Sequence, residues 1–187
     1  MADDFERARN IAADFERAKN FAAQILVKYS LTDPPVDSLK IATNEGIRVV
    51  FKRLPDDLRN EVSGFFDPNY NLGKGAIVIN EDISPSRMVF TIAHELGHVL
   101  LHEDIRKSDK ISSVQYRTNN WQIGCKPCEE QEADVFAAHL LMPDKWIRKY
   151  VSVLKYIDKD VNPENLSELF GVSKNAMYFR MKDLGLV

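Results

Sequence analysis

The sequence predicts an α+β fold, with a small, mostly antiparallel sheet packed against an apolar helix and a second, acidic helix, followed by an all-helical C-terminal tail. Short β-branched segments alternate with turn residues between residues 47 and 79. A long apolar segment follows at residues 85–102, and helical spacing of apolar residues dominates from residue 129 onward. With 187 residues, of which 44% are hydrophobic, the chain can bury a sizeable core.

The first segment, residues 1–30, is predicted to form a helix that contains a duplicated decapeptide. The two copies are DFERARNIAA (Asp4–Ala13) and DFERAKNFAA (Asp14–Ala23). A step of ten residues turns a helix by about 80° beyond whole turns, so the copies do not share one face. A repeat array needs at least about three units. We interpret the copies as a duplication that lengthened a terminal helix, with a partner-binding helix as the alternative.

The second segment, residues 36–145, is predicted to form the core. A short helix, residues 36–45, ends before Gly46, which suits a helix C-terminus. The strands that follow are predicted at residues 47–51, 62–66 and 76–79. Because Asp, Asn, Pro and Gly residues fill the connection between the last two strands, these strands are expected to pair as a hairpin.

A buried helix and an acidic helix complete the core. Ser84 and Pro85 suit the N-cap and first turn of a helix that runs to about His102 and is apolar nearly all round. Residues 103–128 are polar and irregular, with a strand expected at 111–116. The acidic helix is predicted at about residues 129–142, and the tail, residues 146–187, has the helix, glycine-containing turn and helix of a helix-turn-helix.

The strongest chemical signal is an HExxH motif on the buried helix, His94-Glu95-Leu96-Gly97-His98. Residues four apart lie on one helical face, so both imidazoles can reach one metal ion. Glu95 follows the first histidine and is placed to accept a proton from a reacting water. The pattern predicts a catalytic Zn²⁺ bound by His94 and His98, with Glu95 as the catalytic acid and base.

A catalytic zinc needs a third protein ligand. His102 is a weak candidate, because two steps of four residues drift around the helix and it falls near the helix end. The acidic helix offers Glu130, with Asp134 one turn later, which is a Glu-zincin-like arrangement. Glu132 is the main rival, but it lies about 200° around the helix from Glu130, so the two cannot both be ligands without distortion. We predict Glu130.

The stretches FTIAHELGHVLLH (Phe90–His102) and EEQEADVFAAHLLMP (Glu129–Pro143) together resemble the ImmA/IrrE family of metallopeptidases. The resemblance covers about residues 36–145. It implies that His94, His98 and Glu130 bind zinc, that Glu95 is catalytic, and that Asp134 orients a ligand. It also implies a zinc metalloendopeptidase of bacteria or their mobile elements that cleaves a helix-turn-helix repressor and so derepresses stress-response or transfer genes.

Two other functions stay open from the sequence. The first is a non-proteolytic, metal-containing regulator that titrates a repressor or toxin partner. The second is a DNA-binding module that uses the tail. Direct DNA binding is not expected, because Lys174, Arg180 and Lys182 are balanced by three acidic residues between residues 162 and 187, and the net charge of the chain is −3.

The remaining features set the cellular context and leave two roles open. No apolar stretch approaches the roughly 20 residues of a membrane span, and the N-terminus does not resemble a secretory signal, so a cytoplasmic protein is expected. Cys125 and Cys128 form a single C-x-x-C pair, which we interpret as two reduced thiols, with a regulatory pair as the alternative. Candidates for a second oxyanion donor are Tyr116, Arg117 and His102.

Overall fold

The computed structural model describes residues 2–70, 75–102 and 128–187, with side chains from Asn10 onward. The expected strand at 111–116, together with Tyr116, Arg117 and Cys125, lies outside the described residues. The described elements are α1 (Ala2–Lys28), α2 (Ser38–Asn44), β1 (Arg48–Lys52), α3 (Asp56–Arg59), β2 (Gly64–Asp67), β3 (Ala76–Asn80), α4 (Pro85–Leu101), α5 (Cys128–Leu141), α6 (Asp144–Tyr156), α7 (Pro163–Phe170) and α8 (Lys174–Asp183). The α+β class is confirmed, and the short helix α3 was not predicted.

The sheet is mixed, so the prediction of a mostly antiparallel sheet was wrong. Its strand order is β1-β3-β2. β2 pairs antiparallel with β3, with Phe65 opposite Val78, as the turn residues between them predicted. β1 pairs parallel with β3, with Val50 opposite the same Val78. The connection from β1 to β2 therefore crosses the position of β3, and local turn signals carry no information about such a crossover.

Three helices stack away from the sheet in layers that place the functional helix at the centre of the fold. α4 packs on β2 and β3, α5 packs on α4, and α1 packs on α5 and also contacts α4. Every residue of α4 from Thr91 to Val99 is buried, and so is every residue of β3. The predicted burial of the HExxH helix is therefore what the structure shows.

α4 and α5 approach closely because Gly97 has no side chain. A Cβ atom built on Gly97 would lie 2.9 Å from Cδ1 of Phe136 and 3.3 Å from Cα of Ala133, both on α5. Ordinary contacts of a Cβ atom begin at 3.4 Å. The second variable position of the HExxH motif thus sets how closely the two helices approach.

The C-terminal helices pack on the core. Asn162 caps α7 and Ser173 caps α8, each accepting a hydrogen bond from the backbone N–H three residues later. Gly171 joins the two helices with a left-handed φ of 66°. Arg180 of α8 is buried, and its Nε donates to the carbonyl oxygen of Met142 at 3.0 Å. This arginine therefore joins the tail to the core.

α1 is one helix through both decapeptide copies, but the copies are buried differently. In the second copy Ala18 and Ala22 are fully buried, whereas Ala12, the counterpart of Ala22, is exposed. The second copy therefore forms the contact with the core, as the 80° rotation between copies predicts. Among the described residues, no helix is both long and apolar enough to cross a membrane.

Candidate metal centre

The two histidines of the HExxH motif meet on one face of α4. Nε2 of His94 lies 3.0 Å from Nε2 of His98, and the ring centroids are 4.7 Å apart. Both side chains are buried. The four-residue spacing on a helix accounts for this convergence, because residues i and i+4 are neighbours on its surface.

Glu130 of α5 brings a carboxylate to the same point. Its Oε1 lies 2.9 Å from Nε2 of His98, and its Oε2 lies 3.3 Å from Nε2 of His94. Burial raises the pKa of Glu130, but hydrogen bonds from the two histidines outweigh burial and hold that pKa well below its usual value. Glu130 is therefore a carboxylate at neutral pH, which is the form that binds a metal.

Asp134 contacts the ring nitrogen of His94 that does not face the other donors. Its Oδ1 lies 2.8 Å from Nδ1 of His94. A carboxylate at Nδ1 favours a proton at that nitrogen, so that Nε2 is the nitrogen available to a metal, which would replace the contact between Nε2 and Glu130. Asp134 is one helical turn after Glu130, so a single face of α5 supplies both carboxylates.

The donor set fits a small divalent metal ion. One ligand atom from each of His94, His98 and Glu130 lies within 4.8 Å of the other two. Zinc–nitrogen and zinc–oxygen bonds of about 2.0–2.2 Å place neighbouring ligand atoms of a tetrahedral site about 3.3 Å apart. The observed separations of 2.9, 3.0 and 3.3 Å are equal to or slightly below that spacing. Two imidazoles and a carboxylate are also a donor set typical of catalytic zinc sites.

Comparison with known proteins identifies the family. Residues 42–182 match the Peptidase M78 family model, described as the IrrE N-terminal-like domain. The chain belongs to the ImmA/IrrE family of metallopeptidases. The resemblance predicted from the two motifs is therefore confirmed, and the matched residues extend from the end of α2 through most of α8.

Three relatives of this ImmA/IrrE chain differ in how much they share with it. It is 26% identical over 161 residues to uncharacterized immunity region protein 2 of Bacillus phage phi105, covering 86% of this chain and 85% of the relative. It is 24% identical over 132 residues to metallopeptidase ImmA of Bacillus subtilis, covering 71% and 69%. It is 35% identical over 81 residues to radiation response metalloprotease IrrE of Deinococcus radiodurans, covering 43% of this chain but 22% of that protein.

A solved structure shares the fold. A Mycobacterium tuberculosis transcriptional regulator superposes with a TM-score of 0.60 and 18% identity, covering 89% of this chain and 46% of that one. This chain therefore corresponds to less than half of the larger protein, and the match concerns the fold alone.

The structure separates the two candidate carboxylates of the ImmA/IrrE chain. Glu130 faces α4 and the histidines, whereas Glu132 faces α1, where its Oε2 lies 2.5 Å from Nη2 of Arg17. Glu132 is buried but does not belong to the group of converging donors. The sequence left these alternatives open, and it gave no sign that Arg17 contacts the acidic helix.

Glu95, His102, and the fourth histidine of the chain, His139, are not among the converging donors. Glu95 is buried on α4 directly after His94. The ring centroid of His102 is 5.7 Å from that of His98, but His102 contributes no atom to the converging group. His139 contacts Arg180 instead, with 3.3 Å between its Nδ1 and Nη2 of the arginine. Cys128 begins α5 as a free thiol.

Proposed function

We propose that this chain is a zinc-dependent endopeptidase of the Glu-zincin type, with His94, His98 and Glu130 as ligands and Glu95 as the catalytic acid and base. The convergence of the three donors within 4.8 Å on two packed helices is the observation that carries the proposal. Family membership supports peptide hydrolysis as the reaction. Zinc bound there would supply a Lewis acid that polarises the scissile carbonyl and acidifies a water.

The residues of the chain divide the remaining work. Glu95 accepts the proton of the attacking water and passes it to the leaving amine, which is general base and then general acid catalysis. Asp134 keeps His94 in the tautomer that directs Nε2 into the site, through the 2.8 Å contact at Nδ1. The neighbouring histidines hold the pKa of Glu130 well below its usual value, so this carboxylate adds negative charge to the donor set at neutral pH.

We propose that the substrate is a helix-turn-helix transcriptional repressor whose cleavage derepresses stress-response or mobile-element genes. Support comes from the family resemblance of both motifs, and one relative carries a phage immunity region name. A narrow substrate range also suits a site that is buried at its base, since His94, Glu95 and His98 are each less than 9% exposed.

The test is co-expression with the helix-turn-helix protein encoded next to this chain, reading cleavage by mass spectrometry of both fragments. Glu95→Gln keeps the size of the side chain and removes the base, so cleavage should fall by about 10²–10⁴-fold while zinc remains bound. Glu129→Gln removes an exposed acid from the start of α5 and serves as the matched control. Normal cleavage by Glu95→Gln would refute the mechanism. Intact repressor with the wild-type chain would refute the choice of substrate.

A further inference from the structure

Arg17 of α1 forms an ion pair with a buried glutamate of α5. Glu132 of α5 has a side chain that is only 5% exposed, and its carboxylate lies 2.5 Å from Nη2 of Arg17. Arg17 belongs to the second decapeptide copy, which precedes the residues that match the family. The nearest ion pair along α1, between Lys19 and Glu16, is exposed and stays within the helix.

The ion pair joins α5 to α1. Glu130 and Glu132 are two residues apart, about 200° around an ideal helix, and of the two only Glu130 belongs to the converging donors. α5 packs on both α4 and α1. The orientation of α5 that brings Glu132 to Arg17 is therefore also the orientation that brings Glu130 to the histidines.

We infer that Arg17 is a positioning residue for the metal centre, which holds α5 in the orientation that presents Glu130 and keeps Glu132 away from the metal. This inference rests on the proposed metal ligands. A buried carboxylate without a cation is strongly unfavourable, so Glu132 needs Arg17 in order to stay where it is. Without Arg17, α5 would turn or shift to solvate Glu132, and Glu130 would move with it.

Arg17 and Glu132 differ in burial, so substitutions of the two residues should affect zinc binding differently. Arg17 is 51% exposed and can be solvated on its own, whereas Glu132 is 5% exposed and cannot. Arg17→Gln should therefore weaken zinc binding by about 10–100-fold, the usual effect of losing a supporting residue of a metal site. Glu132→Gln removes the buried charge together with the ion pair, so it should weaken zinc binding less than Arg17→Gln does. The double variant should match Glu132→Gln, because no buried charge is left unpaired.

The experiment measures the affinity of the full chain for Zn²⁺ by competition with a chromophoric chelator, with circular dichroism to establish that each variant is folded. Lys19→Gln, on the same helix, is the matched control and should bind zinc as the wild type does. Equal affinity of Arg17→Gln and wild type would overturn the inference, and so would a double variant that stays as weak as Arg17→Gln. If Arg17→Gln does not fold, Arg17→Lys takes its place: it keeps the cation but loses the fixed hydrogen-bond geometry of the guanidinium, so zinc binding should fall by less than about 10-fold, and Glu132→Gln should restore it.

The two proposals fail in different ways. A wild-type chain that binds no zinc refutes the proposed function. A wild-type chain that binds zinc and cleaves its substrate, together with an Arg17→Gln variant of unchanged affinity, refutes only the role of Arg17. A merely structural role of Arg17 would lower the thermal stability of the metal-free protein without changing the zinc affinity of the folded variant, and this outcome also overturns the inference.

Discussion

Replacing Gly97 by alanine tests whether the distance between α4 and α5 controls the metal centre. The new Cβ atom would lie 2.9 Å from Cδ1 of Phe136, whose ring is fully buried. The helices must therefore separate, and the direction of separation moves Glu130 away from His98. The variant changes neither a proposed ligand nor a charged group.

The structure sets the size of the effect. Bringing the contact from 2.9 Å to an ordinary 3.4 Å requires a shift of about 0.5 Å. A metal site tolerates only about 0.2 Å in its ligand distances, so zinc affinity should fall by about 10–100-fold. Overpacking costs about 1–3 kcal/mol, and the better helix propensity of alanine returns about 1 kcal/mol. The net loss of about 0–2 kcal/mol corresponds to a Tm lowered by up to about 8 °C.

The assay combines zinc titration against a chelator with thermal unfolding of the metal-free protein. Gly97→Ser should bind zinc more weakly than Gly97→Ala, because the serine side chain is larger than that of alanine. Adding Phe136→Leu to Gly97→Ala removes the ring that is contacted and should recover part of the affinity. Wild-type zinc affinity in Gly97→Ala would refute the reasoning, since it would show that the close approach of the helices does not position Glu130.

Two further predictions concern residues around the site. Asp134→Asn should weaken zinc binding by about 10–100-fold in the same titration, because the carboxylate that orients His94 is lost; an unchanged affinity would contradict this role. Burial, with Arg180 and Lys19 nearby, lowers the pKa of His139 to about 4, so the unfolded chain binds this proton more readily and stability falls as pH drops from about 6.5 towards 4. His139→Gln should flatten that part of the Tm–pH profile, and an unaltered profile would assign the loss to other groups.

The strands were easier to predict than their pairing. β-branched residues and turn residues are local signals, and they located β1, β2 and β3 to within two residues. The strand that pairs with β1 depends on a connection that passes β3, and the residues of β1 do not indicate this connection. The hairpin of β2 and β3 was predictable because eight residues rich in turn formers join the two strands. The parallel pairing was missed because it is a long-range choice.

The metal centre also has a part that local sequence predicts and a part that depends on long-range packing. His94, Glu95 and His98 lie within five residues of one helix, so helix geometry alone brings the two histidines together. Glu130 is more than 30 residues away, and its distinction from Glu132 depends on which side of α5 faces α4. Helical angles could show that Glu130 and Glu132 cannot both be ligands. The choice between them depends also on the position of α1, because its Arg17 contacts Glu132.

The metal centre therefore depends on the distance between α4 and α5 and on the rotation of α5 about its axis. Different residues set the distance and the rotation. Gly97 sets the separation of α4 and α5 from the side of the histidines, through its contact with Phe136. We infer that Arg17 of α1 sets the rotation of α5 through Glu132. The histidine pair can survive small movements of α5, because it is internal to α4, whereas the carboxylate ligand cannot. Changes at Gly97 or Arg17 should thus weaken zinc binding through Glu130 while the distance between the two histidines stays the same.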